Sequence, residues 1–276
     1  MSASPTERID SWTALETPER VTTAVRKLER IGRTEAELAA RRRYLDLLAP
    51  RPGERIVDVG AGTGLITLDI ADRAKPGGRV VAVDPSAALL DHARSAAEAA
   101  GLSDVFEVEV GDGRALPFAD RSFDAAFCHW VLLHVDPGAA IVRELKRVTL
   151  PGGRVMCVEM DWETAIVHPG ERALTRRILN FSNDRHVEGW SGRRLTTLFK
   201  ECGFVDVVVE AIVDVDQNGD AVWLDFIRER AQNAVKGGVV SDAEASPWTG
   251  AIEAAAAVDR YFFAITQFAV LGRVPD

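Results

Sequence analysis

A chain of 276 residues, 47% of them hydrophobic, is long enough for one large α/β core or a core with a cap. Its 33 basic residues against 42 acidic ones give a net charge of −9, which leaves no general surplus of Lys and Arg to neutralise phosphates and argues against a nucleic-acid partner. No apolar run approaches the ~18–20 residues of a membrane span. Met1-Ser2-Ala3-Ser4-Pro5-Thr6-Glu7-Arg8 has no signal-peptide core, and Cys128, Cys157 and Cys202 have no paired spacing, so a cytoplasmic protein with reduced thiols and no membrane contact is expected.

In chain order, Pro18 to Ile31 and Thr34 to Leu48 read as two helices. Thr34 is the expected N-cap of the second, with Glu37 three residues on as its capping-box partner. Ala49-Pro50-Arg51-Pro52-Gly53 breaks that helix and leads into a strand. From Glu54 to Glu159, strands at Glu54–Gly60, Arg79–Asp84, Val105–Val110, Phe123–His129 and Arg154–Glu159 alternate with helices at Gly64–Arg73, Ser86–Ala100 and Gly138–Val148. Such alternation implies right-handed crossovers and a parallel sheet buried on both faces. Beyond it, helices are expected at Pro169–Phe181, Gly192–Cys202, Ala221–Val235 and Asp242–Val258. Strands are expected at Phe204–Val213 and Tyr261–Gly272.

Chemistry concentrates where the first strand meets its helix. Asp58-Val59-Gly60-Ala61-Gly62-Thr63-Gly64 is a glycine turn between an apolar strand and a helix, an arrangement that brings backbone N–H groups and a helix N-terminus against a ligand. Glycines remove Cβ atoms where a ligand must lie on bare backbone. The second strand ends in Asp84, placed to take both ribose hydroxyls of an adenosine, and the third in Gly111-Asp112-Gly113, where an adenine amino group can be read. A nicotinamide-binding turn would need a third glycine at Leu65. That mismatch, with the absence of a Tyr-x-x-x-Lys pair, disfavours an oxidoreductase.

Five motifs in this order resemble the class I S-adenosylmethionine-dependent methyltransferases. They are Val57–Gly64, Val83-Asp84-Pro85-Ser86, Gly111-Asp112-Gly113, the run from Ser122 to Trp130, and the helix-to-turn segment Leu145 to Gly153. The resemblance implies a doubly wound, mostly parallel seven-stranded sheet (the Rossmann-like methyltransferase fold) with a helical cap. Residues 1–53 would be an N-terminal cap segment and 54–160 the cofactor-binding core. Residues 161–276 would supply cap helices plus the last two strands of the same sheet. It further implies S-adenosyl-L-methionine as cofactor, held by Gly60, Gly62, Asp84, Pro85, Asp112, Gly113, Cys128 and His129. Arg41-Arg42-Arg43 reads as a solvated helix face or, alternatively, as the source of an arginine for the carboxylate of the cofactor's methionine part.

His129 and Trp130 at the end of the fourth strand, Asp161 after the fifth and His186 in the cap segment are the catalytic candidates. His129 and His134 match no zinc spacing, and no metal is expected. Nothing resembles the N/D-P-P-Y/F motif of enzymes that methylate base nitrogens. The likeness runs closest to the group that includes the menaquinone and ubiquinone C-methyltransferases and natural-product tailoring enzymes, and Gly189-Trp190-Ser191-Gly192-Arg193-Arg194-Leu195 is typical of the tailoring members. Trp130, Trp162, Trp190 and Trp223 read either as core residues or as a stacking box for a planar acceptor. The expected activity is C- or O-methylation of a small aromatic metabolite, an indole-type carbon among the candidates, by a monomer or homodimer. A regulatory protein that keeps the cofactor pocket without catalysis is the alternative from another class.

Overall fold

The strand–helix alternation after Glu54 closes into one seven-stranded sheet in the computed structural model, which describes residues 17–185 and 188–276. The first helices are α1 (Pro18–Gly32) and α2 (Glu35–Leu48). Then β1 (Arg55–Val59), α3 (Leu65–Ala74), β2 (Arg79–Asp84), α4 (Ala87–Ala99), β3 (Phe106–Val110), β4 (Phe123–His129), α5 (Gly138–Val148) and β5 (Thr149–His168) follow. The chain ends with α6 (Arg172–Asn183), α7 (Ser191–Glu201), β6 (Val205–Asp216), α8 (Ala221–Lys236), α9 (Asp242–Ala256) and β7 (Phe262–Arg273). The sheet order is β3-β2-β1-β4-β5-β7-β6. β1 to β5 run parallel, and β7 is antiparallel to both β5 and β6.

Strand parity sorts the core into two layers. Ile56, Val80, Ala82, Ala125 and Phe127 pack against Tyr44, Leu45, Ile70 and Leu90 from the helices of one face. Their neighbours Val57, Val81, Val83, Ala126 and Cys128 pack against Ile141, Leu145, Leu195 and Phe199 from α5 and α7 on the other. A third cluster joins the far ends of β5 and β7 to α6, α8 and α9 through Met160, Ile178, Trp223, Ile227, Trp248 and Phe263. Helix α1 reaches this third layer by exposed ion pairs, Arg30 to Asp225 at 2.6 Å and Lys27 to Glu229 at 3.8 Å.

Two local expectations change. The fifth strand runs to His168 rather than stopping at Glu159, because β7 offers pairing partners past the irregularity after Asp161: Ile166, Val167 and His168 pair with Ala264, Phe263 and Phe262. Thr34 does cap α2, its Oγ accepting the Glu37 N–H at 3.2 Å, but the Glu37 carboxylate does not complete the box. The Thr34 N–H is already spent on the Ile31 carbonyl at 3.1 Å, which leaves Glu37 no donor to reach back to. A complete capping box forms instead at Ser241 and Glu244, opening α9.

Candidate active site

Strand order reverses between β2-β1 and β4, and the crevice that such a switch point leaves at the carboxyl ends of the strands is the ligand position of open α/β sheets. A cavity of 590 Å³ occupies it. Its floor is the turn from Asp58 to Thr63. One wall is Asp84 and Pro85, another Gly111 to Arg114, a third His129 to Asp136, and α1 and α2 close it with Leu28, Ile31, Glu37 and Arg41.

The turn is bent as glycines allow. Gly60, Gly62 and Gly64 have φ of 78°, 55° and 76°, the left-handed region that other residues reach only with strain. Its amides are largely spent within the protein: Gly60 and Ala61 donate to the Val83 carbonyl, Gly64 to Ala61, and Gly62 to the Asp84 carboxylate at 3.0 Å. The glycines therefore act here mainly by close approach rather than as a ring of free donors. A Cβ on Gly60 would sit 2.1 Å from Val131 Cγ2, and one on Gly113 would sit 2.7 Å from Val59 Cγ1. Beneath the turn, buried Asp58 accepts the Thr67 hydroxyl at 2.5 Å, tying β1 to α3, and burial pushes its pKa up to about 7.

Asp84 ends β2 with one oxygen on the Gly62 amide and the other on the Ser86 amide at 2.9 Å. Burial raises its pKa, and the two amides pull it back. Asp112 stands at the rim, where the Arg114 guanidinium grips both oxygens at 2.7–3.0 Å and lowers its pKa.

The end of β4 carries the aromatic wall. Trp130, at φ 55°, stacks on His129 with ring centroids 4.5 Å apart, and His129 in turn lies 5.5 Å from the Tyr44 ring. Burial first, then the Arg41 charge, lowers the His129 pKa to about 3, so the imidazole is neutral. His129 Nε2 and Trp130 Nε1 are buried without a hydrogen-bond partner. The following short turn, Leu132–His134, is pinned from behind by Glu159, which accepts the Val131 and Leu132 amides at 2.8 and 2.7 Å and the Ser191 hydroxyl at 3.0 Å. Burial pushes the Glu159 pKa up to about 7 against those bonds.

Of the residues expected at the site, Gly60, Gly62, Asp84, Pro85, Asp112, Gly113, His129 and Trp130 all line the one cavity. Cys128 requires correction. Strand parity turns its side chain away from the cavity into the layer under α5 and α7, beside Cys157, with no exposure at all. Asp161 also requires correction as a catalytic candidate. It is fully buried behind β5 in a two-pronged pair with Arg193, at 2.5 and 2.7 Å, and ties the strand to α7. His186 lies outside the described residues.

Of the four tryptophans, Trp130 is the one that lines the cavity; Trp223 is buried in the third core cluster, Trp162 packs half-buried against it, and Trp190 is exposed under Arg193. Of the three consecutive arginines, Arg41 is buried in the cavity wall while Arg42 and Arg43 are solvated. Sequence reasoning missed Glu37 as a wall residue. Its signal was there in the stripe Glu37, Arg41, Tyr44, Leu45 and Leu48, the buried face of α2. Among the described residues no group of three or more His, Cys, Asp and Glu is arranged to hold a metal, and no helix is long and apolar enough to cross a membrane.

Residues 57–157 match the family model described as a methyltransferase domain. An uncharacterized 37.1 kDa protein in transposon TN4556 of Streptomyces fradiae is 30% identical over 248 residues, 89% of this chain and 70% of that protein. Demethylmenaquinone methyltransferase of Symbiobacterium thermophilum is 31% identical over 178 residues, 56% of this chain and 70% of that enzyme. Haemonchus contortus phosphoethanolamine N-methyltransferase 2, solved with phosphomonomethylethanolamine and S-adenosylhomocysteine, shares the fold with a TM-score of 0.60 at 16% identity, over 95% of this chain and 60% of that one.

Proposed function

The chain belongs to the S-adenosylmethionine-dependent methyltransferases, and we propose that it methylates a small, electron-rich aromatic metabolite at carbon or oxygen. The cavity fits the cofactor. It lies in the range of ~300–1,000 Å³ usual for small-molecule sites, and it presents buried, unpartnered nitrogens at Arg41 Nε, His129 Nε2 and Trp130 Nε1. Asp84 would take the ribose hydroxyls, Asp112 and the backbone around Gly113 the adenine, and Arg41 the carboxylate of the methionine part. When bound, the cofactor supplies a methyl group on a sulfonium, which is electrophilic without further activation.

The protein's task is then to position the acceptor and exclude water. The observation that carries the aromatic reading is the Trp130 ring at the end of β4, stacked on a neutral His129, with its indole N–H unpartnered and the apolar Leu28, Ile31 and Val135 lining the same cavity. Such a wall stacks a planar ring, and the indole N–H can donate to a ring oxygen. His129, with its pKa near 3, is a poor general base, which favours an acceptor nucleophilic on its own, such as an indole carbon or an ionised phenol or quinol. The relative named a demethylmenaquinone methyltransferase supports a quinone-type aromatic acceptor. Helix α1, whose Leu28 and Ile31 line the cavity, would cover this acceptor side, with α8 tied to it by the Arg30–Asp225 and Lys27–Glu229 pairs.

The test is transfer of label from methyl-tritiated S-adenosylmethionine to a panel of indoles, phenols, quinols and aliphatic amines. Label in an aromatic product, at carbon or oxygen, is expected. Label confined to amines would overturn the acceptor assignment.

A further inference from the structure

A buried polar cluster adjoins the cavity beyond the groups read for adenosine. Glu37 is only 3% exposed. Its Oε1 accepts the Tyr44 hydroxyl at 2.9 Å, and its Oε2 accepts the Gln267 amide at 3.3 Å. The same amide nitrogen lies 3.4 Å from both oxygens of a second buried acid, Asp214. His129 Nε2 stands 3.6 Å from Glu37 Oε1, beyond hydrogen-bond reach, and neither it nor Gln267 Oε1 has a partner. One helical turn on, Arg41 gives Nη1 to Asp69 at 3.2 Å and Nη2 to the Gly32 carbonyl at 2.5 Å, while its Nε is buried and unpartnered. Glu37 and Arg41 both line the cavity.

A carboxylate shut away from water, backed by a second one and bonded to no cation, is costly until it takes a proton or a cation arrives. On one helix, positions i and i+4 stand about 5–6 Å apart between Cβ atoms. The wall therefore offers a buried carboxylate and an unpartnered guanidinium N–H one helical turn apart, opposite in charge to the two ends of an amino-acid zwitterion. We propose that Glu37 is the residue that selects the aminoacyl tail of the cofactor, taking its α-ammonium while Arg41 Nε takes its α-carboxylate. The inference rests on the reading that Asp84 holds the adenosine end of the same cavity.

Proton release follows from it. Burial, then the nearby Asp214 charge, pushes the Glu37 pKa up to about 7, with the Tyr44 hydroxyl, Arg41 and the Gln267 amide pulling it down. The groups that face it are Tyr44 and Arg41 on α2, His129 on β4, Asp214 on β6 and Gln267 on β7. Near neutral pH an empty site carries Glu37 partly as the acid. An ammonium settling beside it lowers its pKa, the O–H bond breaks, the electron pair stays on the carboxylate, and the proton passes to buffer.

Calorimetry with the full-length protein tests this, using S-adenosylhomocysteine and 5′-methylthioadenosine, which lacks the aminoacyl tail. Titrations at pH 7 in phosphate and in Tris, buffers of different ionisation heat, count the protons. Glu37→Gln keeps size and hydrogen bonding. It should weaken S-adenosylhomocysteine about ten- to a hundredfold, the scale of a lost charged hydrogen bond, leave methylthioadenosine within about twofold, and abolish a proton release seen in the wild type. Methylthioadenosine binding by the variant also reports that it is folded. Unchanged S-adenosylhomocysteine affinity, equal weakening of both ligands, or proton release that persists in the variant would each overturn the role of Glu37. A wild type that binds neither ligand would instead overturn the cofactor reading of the cavity, and the inference with it.

Discussion

The Asp84 carboxylate accepts the Gly62 amide at 3.0 Å, so the acid that ends β2 also braces the glycine turn that follows β1. One side chain thus shapes the floor of the cavity and presents its remaining lone pairs to whatever lies on it.

That double duty makes the choice of variant matter. Asp84→Ala should weaken S-adenosylhomocysteine by about 1.5–3 kcal/mol, the scale of lost hydrogen bonds to a charged group. Asp84→Asn retains one carbonyl oxygen for the Gly62 or Ser86 amide and should lose less. Calorimetry on both, with circular dichroism to confirm folding, checks the order. Wild-type affinity in Asp84→Ala would remove Asp84 from the ribose position.

Gly60 is constrained from two directions, by a φ of 78° and by Val131 Cγ2 at 2.1 Å from where a Cβ would stand. Gly60→Ala should displace the segment after β4. Overpacking costs about 1–3 kcal/mol, and left-handed strain adds about 1–2 kcal/mol. Cofactor affinity should fall with stability. The double variant Gly60→Ala, Val131→Ala should recover the packing part and keep the strain. A double-mutant cycle in denaturant with no coupling between the two sites would show that the contact is not felt.

Glu159 supports the same segment from the far side. Glu159→Ala would strand the Val131 and Leu132 amides and the Ser191 hydroxyl in a buried place, at about 1–3 kcal/mol for each group that finds no new partner. Glu159→Gln keeps an acceptor oxygen and should cost less. Urea unfolding gives the stabilities, and S-adenosylhomocysteine titration shows whether the wall from Trp130 to Asp136 has loosened. Equal stability of both variants with the wild type would mean that the turn holds itself.

The fold was legible where residue spacing acts locally. The period-two strands, the glycine turn and the acids at strand ends placed Gly60, Gly62, Asp84, Asp112 and His129 around one cavity because each is fixed by its own strand and turn. What escaped were choices made by distant partners. Glu37 satisfies the capping-box pattern, yet its destination depends on Gln267, 230 positions away. Asp161 reads from the sequence as a strand-end acid like Asp84, but β5 runs on past it and Arg193 on α7 claims it. Cys128 was misplaced although parity alone would have turned it away from the side that Phe127 and His129 share. The length of β5 depended on β7 as a partner, which no window around Glu159 contains.

Burial of acids sets how stability should vary with pH. Glu37, Asp58, Glu159 and Asp214 have pKa values raised to about 7, 7, 7 and 6. A raised acid favours the folded state most fully below its unfolded pKa and loses that contribution as pH rises through its folded one, at up to about 1.4 kcal/mol per pH unit for each group. The protein without cofactor should therefore be more stable at pH 5.5 than at pH 8. His129, lowered to about 3, opposes this trend only as pH falls below its ordinary value of 6.5. Lowered surface acids such as Asp112 and Glu144 act at more acidic pH still. Denaturant midpoints across that range measure the slope, and Glu37→Gln should flatten it. A stability that climbs steadily from pH 5.5 to 8 would contradict the raised values.

The last prediction decides what His129 does. Its imidazole stacks on Trp130, with the tilted Tyr44 ring 5.5 Å away, and is neutral throughout the physiological range, because its pKa is held near 3. A base that binds protons so weakly gains little by taking one from the acceptor. Its Nε2 also faces Glu37 rather than standing alone at the mouth of the cavity. His129→Asn should therefore act mainly through the cofactor, raising the KM for S-adenosylmethionine while kcat falls modestly. The wild-type rate should show no acidic limb near pH 6.5 that vanishes in the variant, since no titration of His129 occurs there. A general base would behave otherwise. Its loss would cut kcat by about 10²–10⁴ with the cofactor KM unmoved, and a limb would disappear from the pH profile. Steady-state kinetics of wild type and His129→Asn from pH 5.5 to 9 separate the two, and the second pattern would make His129 the group that takes the acceptor's proton.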